Sequence, residues 1–111
     1  MPKGKFLGEF EQVVLLAVLR LGADAYGAKI RQEVEDRTGR PVAVGAIYAT
    51  LDRLVAKRYL RARDGDPSPD RGGRPKRYFR LEPAGVAALE TSRHILDRMW
   101  EGVRLPGSSS R

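Results

Sequence analysis

Apolar side chains return at helical spacing through the first third of the chain. Over residues 9–21, Phe10, Val13, Val14, Ala17, Val18 and Leu21 share one face, while Leu15, Leu16 and Leu19 make the opposite side apolar as well. That pattern predicts a helix buried around most of its circumference, with Gly22 as its left-handed stop. Such a helix asks for more cover than one small domain offers, which points to a second subunit. Asp24 is placed to cap a second helix from about residue 25, with Tyr26, Ile30 and Val34 inward and Gly39 as the stop. Its other face, with Lys29, Arg31, Gln32, Glu33, Glu35 and Asp36, is polar, and Arg40-Pro41 redirects the chain. A third helix fits residues 44–57, with Val44, Ile47, Leu51, Leu54 and Val55 as an inward stripe. Near its start Gly45, Ala46, Ala49 and Thr50 form a small-residue outer side.

The pattern then changes period. RYLRAR (58–63) and KRYFRL (76–81) alternate basic with apolar or aromatic positions, which predicts two short strands. Between them Pro67, Pro69 and Pro75 cannot donate ladder hydrogen bonds and Gly72-Gly73 offers positive φ. Residues 64–75 are therefore expected to be a loop at the tip of a β-hairpin. Pro83 suits the first turn of a last helix reaching about residue 103. Its Val86, Leu89, Leu96, Trp100 and Val103 lie close to an a/d seam, widened by Ile95 and Met99 and broken by Arg93. The closing PGSSSR has the composition of a disordered end.

Composition narrows the class. A chain of 111 residues with 41% apolar content fits one compact domain with a modest core. Residues 53–80 carry ten of the 21 basic side chains and three of the 14 acidic ones. They hold the whole net charge of +7, the remainder balancing at eleven of each. A cationic segment on an otherwise neutral chain is the footprint of a polyanion partner, most often nucleic acid, or else a solvated basic face that aids solubility. With no cysteine, one histidine, no phosphate-binding GxxxxGK[ST] loop and no HExxH pair, neither an activated nucleophile nor a metal set is in view, and an enzyme, a metal site or a bound cofactor is not expected. The apolar run at the start is too short and too interrupted by charge to span a bilayer, so no membrane partner and a cytoplasmic location are expected.

Helix, helix, helix, strand, loop, strand is the order of a winged helix-turn-helix, in which the third helix enters the DNA major groove and the hairpin, the wing, lies against the backbone. The expected architecture is mainly α with a small β-hairpin. Residues 1–82 are expected to form the DNA-binding domain, 83–104 a C-terminal helix, and 105–111 a disordered tail. Gly45, Ala46, Ala49 and Thr50 would meet base edges, where Ala and the Thr methyl can touch thymine methyls. Direct readout by so few polar groups is sparse, so DNA shape and dimer spacing share the specificity. Arg53 is either a phosphate contact or the partner of an acid such as Glu9. Arg71, Arg74, Lys76 and Arg77 are the wing candidates.

Three segments, LLAVLRLGADAYGAKIRQEVEDRTG (15–39), VGAIYATLDRLVAKRYL (44–60) and GGRPKRYFRLEPAGVAAL (72–89), together resemble the PadR-like transcriptional regulators. They match that family's Tyr-Gly start of helix two, its Tyr-x-x-Leu-x-Arg-Leu recognition helix, and its Gly-Gly-Arg wing followed by a Tyr-rich strand. The resemblance implies a double-stranded DNA partner, a phosphate contact from the Tyr48 hydroxyl, and a homodimer in which the last helix, residues 83–104, is a C-terminal dimerisation helix that packs on the partner's first helix. The interface residues would be Phe10, Val14, Leu89, Leu96, Met99, Trp100 and Val103. Repression is the common mode it implies, with a small-molecule effector between the subunits left open. Where some drug-sensing relatives place a stacking tryptophan, this chain has Leu96, and its only tryptophan is Trp100, one turn later. Where the family usually reads KGL after the recognition helix, this chain reads Arg58-Tyr59-Leu60. A non-specific architectural nucleic-acid binder and a protein-interaction module on the same scaffold are the competing functions.

Overall fold

The computed structural model describes residues 6–67 and 75–107. Its elements run α1 (Glu9–Leu21), a 3-10 turn (Gly22–Asp24), α2 (Gly27–Thr38), α3 (Val44–Ala56), β1 (Leu60–Pro67), β2 (Pro75–Leu81) and α4 (Pro83–Trp100). The core gathers where α1 crosses the others. Val14, Leu15 and Val18 of α1 meet Ile30 and Val34 of α2, Ile47, Leu51 and Leu54 of α3, and Leu60 and Phe79 of the hairpin. Each is inaccessible or nearly so, and such large aliphatic and aromatic side chains contribute roughly 1.5–3 kcal/mol apiece on burial. A winged helix-turn-helix results, with α4 laid against α1 and β2.

Several boundaries differ from the expected ones, each for a local reason. Asp24 does not cap α2. It belongs to the 3-10 turn and pairs with Lys29 at 3.5 Å, and Tyr26 holds the capping position with an extended backbone and no side-chain cap bond. The strands run beyond Asp64 and start at Pro75, because both prolines sit at the far end of the ladder opposite each other, where a donor is not required. Gly65 allows this extension, since a Cβ there would press into the Tyr78 ring. The helix α4 stops at Trp100 rather than about residue 103: Gly102 takes φ +76° and Val103 only closes a turn onto the Trp100 carbonyl at 2.8 Å. Val44 is exposed instead of inward, since the first turn of α3 projects past the core. The wing's apex and the last four residues of the expected tail, 68–74 and 108–111, lie outside the described residues.

Two backbone contacts join the helices to the wing. Ala25 accepts a hydrogen bond from the Phe79 N–H at 2.8 Å and Tyr26 bridges Tyr78, so residues 25–26 act as a third strand stub beside β2. At the other end Glu82 N–H donates to the Tyr59 carbonyl at 2.9 Å, and Gly85 lies so close to that carbonyl that a Cβ would overlap it.

The turn after α3 places its left-handed residue at Arg58, one position before Tyr59, where the glycine of KGL would fall. Arg58 N–H donates to the Val55 carbonyl and Tyr59 N–H to the Leu54 carbonyl, at 2.9 and 3.0 Å. This is the paired-bond helix stop whose left-handed position normally carries glycine. Arg58 occupies it at φ +65°. A left-handed non-glycine residue costs roughly 1 kcal/mol, so Arg58→Gly is expected to raise the thermal midpoint by about 4 °C. A fall in the midpoint on differential scanning calorimetry would mean that the arginine side chain contributes more than the strain removes.

Candidate nucleic-acid interface

The first two turns of α3 present Val44, Gly45, Ala46, Tyr48 and Ala49 to solvent. Nothing lies within 4 Å of a Cβ built on Gly45, so this is an open surface of small side chains with one aromatic. Thr50 is a correction. It is only 3% exposed, and its hydroxyl accepts a hydrogen bond from Arg53 Nη2 at 3.2 Å. At three residues from Ile47 and four from Leu54 it falls on the buried stripe of α3, so helical geometry rather than residue size decides its direction.

Arg53 meets an acid, but a different one from Glu9. Its Nε lies 3.3 Å from Glu11 Oε2, the same oxygen that accepts from Lys57 Nζ at 2.9 Å, whereas Glu9 approaches Arg40 at 3.6 Å. Glu11 is buried and also accepts from the Gly8 N–H at 3.1 Å through Oε1. Burial alone would raise its carboxyl. The hydrogen bonds from Lys57, Gly8 and Arg53, with the Lys57 charge, outweigh that and hold it below its ordinary value of 4.5. The sequence carries a signal only for the Gly8 bond: Glu11 lies three residues after the cap Gly8, where a capping-box carboxylate sits, and nothing local marks its reach to Arg53 and Lys57.

In the wing, Lys76 and Arg77 are described, while Arg71 and Arg74 lie outside the described residues. Arg77 Nη1 contacts Asp52 Oδ1 of α3 at 3.3 Å and its guanidinium sits 5.3 Å from the Phe79 ring. Lys76 Nζ stands 4.2 Å above the Tyr26 ring, which meets Tyr78 edge-on at 5.5 Å, and Arg63 covers Tyr78 at 4.8 Å. These contacts fix the base of the wing against α2 and α3. The Arg77–Asp52 pair is half exposed on both sides, and exposed pairs of this kind contribute about 0–1 kcal/mol. A phosphate can therefore draw Arg77 away at little cost.

The expected interface residues divide. Val14 is a correction: it is fully inaccessible within the chain's own core and has no surface to offer a partner. Phe10 and Leu89 are partly buried against the same core. Leu96, Met99, Trp100 and Val103 are exposed, Met99 at 71% and Trp100 at 54%. The exposed apolar side of α1 is instead Leu16 and Leu19, one helical turn apart, which together with Leu81, Val86, Leu96 and Trp100 line an open groove of about 650 Å³ between α1 and α4. Both leucines stand out in the sequence as the far side of an over-apolar helix, but only the packing tells which side the core takes. Among the described residues no group of three or more His, Cys, Asp or Glu side chains is placed to hold a metal ion, and no helix is long and apolar enough to cross a membrane.

Comparison with known proteins agrees with this geometry. Residues 15–91 match the transcriptional regulator PadR-like family. The chain is 36% identical over 94 residues to the transcriptional regulator Rv3488 of Mycobacterium tuberculosis (strain ATCC 25618 / H37Rv), covering 82% of this chain and 83% of that protein. Its fold is similar to that of the PadR-like regulator BC4206 from Bacillus cereus strain ATCC 14579, with a TM-score of 0.67 at 17% identity over 83% of this chain and 84% of that one. It is likewise similar to F93 from STIV, a winged-helix DNA-binding protein, with a TM-score of 0.68 at 17% identity over 89% of this chain and 99% of the other.

Proposed function

The chain belongs to the PadR-like family of transcriptional regulators, and from that membership we propose that it is a cytoplasmic homodimeric repressor that binds a pseudo-palindromic promoter site. The observation that carries this reading is the shared exposure of one side of α3 and of the wing beside it, where Arg77 comes within 3.3 Å of Asp52. Gly45, Ala46 and Ala49 lie against base edges in the major groove, and Tyr48 sets its hydroxyl on a phosphate. Arg71, Arg74, Lys76 and Arg77 meet the backbone beside them. Arg53 serves chiefly to hold α1 and α3 together through Glu11, with its half-exposed guanidinium as a secondary phosphate contact. The family consists of transcriptional regulators and not enzymes.

Dimerisation uses the exposed apolar residues of α4 with Leu16 and Leu19 of α1. It sets the distance between two recognition helices and so makes half-site spacing part of the specificity. A small molecule bound between the subunits would change that distance and release the DNA.

The reading is tested by competition. A site-specific regulator is expected to prefer fragments of its own promoter over random DNA by about a thousandfold or more. Equal binding to every duplex would replace it with the architectural reading. The wing is tested by replacing Arg71, Arg74 and Lys76 together with alanine. The variant is expected to bind more weakly, and its log-log salt slope to flatten by about 0.9 for each phosphate no longer neutralised. Unchanged affinity and slope in fluorescence-anisotropy titrations would remove the wing from the interface.

A further inference from the structure

Gly27 opens α2 and is buried, yet its backbone does not need glycine: it is absent from the positive-φ residues and lies in ordinary helix. Helix propensity favours alanine there. What the missing Cβ permits is a contact from another helix. A Cβ on Gly27 would overlap the phenol end of Tyr48, with Cε1 at 2.5 Å, Cζ at 2.6 Å and Oη closer still. The Tyr48 ring thus rests on the bare first turn of α2 while 44% of the residue remains exposed. Its hydroxyl makes no side-chain hydrogen bond among the described residues. The neighbouring Tyr26 bridges Tyr78 and lies under Lys76, so two consecutive residues seat both the recognition-helix tyrosine and the base of the wing.

We infer that Gly27 is a positioning residue for DNA binding, which by lacking a side chain holds the Tyr48 hydroxyl where it meets the DNA backbone. The inference rests on the reading of Tyr48 as a phosphate contact given above. An added methyl group at Gly27 cannot be absorbed by the α2 backbone. The phenol is the group that must move, and its hydroxyl moves with it.

The test uses the full chain with Gly27→Ala, Tyr48→Phe, Tyr48→Ala and their combinations. Thermal midpoints and the affinity for a fluorescein-labelled duplex of random sequence are measured for each. Tyr48→Phe is expected to bind about tenfold more weakly, as loss of a hydrogen bond to a charged acceptor would give. Gly27→Ala is expected to lose a similar factor in the presence of Tyr48 and nothing further in the Tyr48→Phe background. Its thermal midpoint should fall in both, because the ring stays, and should recover with Tyr48→Ala. That split separates positioning from a purely structural effect. Wild-type affinity in Gly27→Ala, or an equal further loss in the Tyr48→Phe background, overturns the inference. Wild-type affinity in Tyr48→Phe overturns the reading of Tyr48 and the inference with it. Should Gly27→Ala alone not fold, the double variant with Tyr48→Ala is compared with Tyr48→Ala: equal affinity supports the seat, and a further loss overturns it.

Discussion

Replacing Leu96 and Trp100 together by glutamate is expected to yield a folded monomer whose affinity for promoter DNA falls by about a hundredfold or more, the avidity lost when two half-sites are no longer engaged by one particle. The core of the chain does not depend on these side chains. Within α4 only Gly85 and Ser92 are buried, with Ala88 and Leu89 partly so, and Leu96 and Trp100 are each about half exposed. They lie instead on the groove that Leu16 and Leu19 line from the other side. A contiguous apolar strip on a domain of this size marks an interaction surface, and two carboxylates placed in it would have to be desolvated for association to proceed. Light scattering during gel filtration reads the oligomeric state, thermal unfolding verifies the fold, and gel-shift titration reads the binding. A variant that stays dimeric, or a monomer that binds as well as the parent, would show that α4 is not the dimer element.

Glu11→Ala is expected to lower stability by about 2 kcal/mol, the cost of leaving Arg53, Lys57 and the Gly8 N–H without their shared acceptor. For a domain of this size that is roughly 10 °C in the thermal midpoint. The figure lies below that for a fully enclosed ion pair because the two cations are partly solvated, Arg53 by half and Lys57 by more than a third. The sign with pH follows from the lowered Glu11 carboxyl. The unfolded chain takes up the proton near the ordinary value of 4.5 and the folded chain only at lower pH. The contribution is therefore complete above that value and is lost as pH falls through the folded one. Stability of the parent protein should decline on acidification through this window, and Glu11→Gln should remove that component while leaving the remaining carboxylates to titrate. Parallel curves for the two proteins would mean that Glu11 is not held in its charged form by folding.

Both predictions rest on contacts that differ in how far the chain itself announces them. The helices are legible because their apolar residues repeat at the period of a helix: α1 ends at Gly22 and α2 at Gly39 as that pattern and the glycines predict. Within α3 the same period, followed strictly, places Thr50 inward; its small size is no guide to its direction. The strand ends are less legible, since a strand lasts as long as its partner continues to pair, and Pro67 and Pro75 tolerate the last position of a ladder. The Glu11 clamp crosses 42 and 46 residues and the Arg77–Asp52 pair 25, separations at which no local pattern selects one acid among fourteen.

By itself, then, the sequence determined the order of elements, the concentration of positive charge in residues 53–80 and the membership of a DNA-binding family. These follow from periodicity, composition and motif, all of which are properties of neighbouring residues. Only the tertiary structure decided which side of α1 is core, so that Val14 is enclosed while Leu16 and Leu19 are free. It also decided that Glu11 rather than Glu9 holds Arg53, and that Tyr48 rests on Gly27. A helix apolar on two sides has two equivalent ways to bury itself, and an arginine has many acids within reach. The choice falls to the close packing of α1 against α2, α3 and the hairpin, where the shape of every element enters at once.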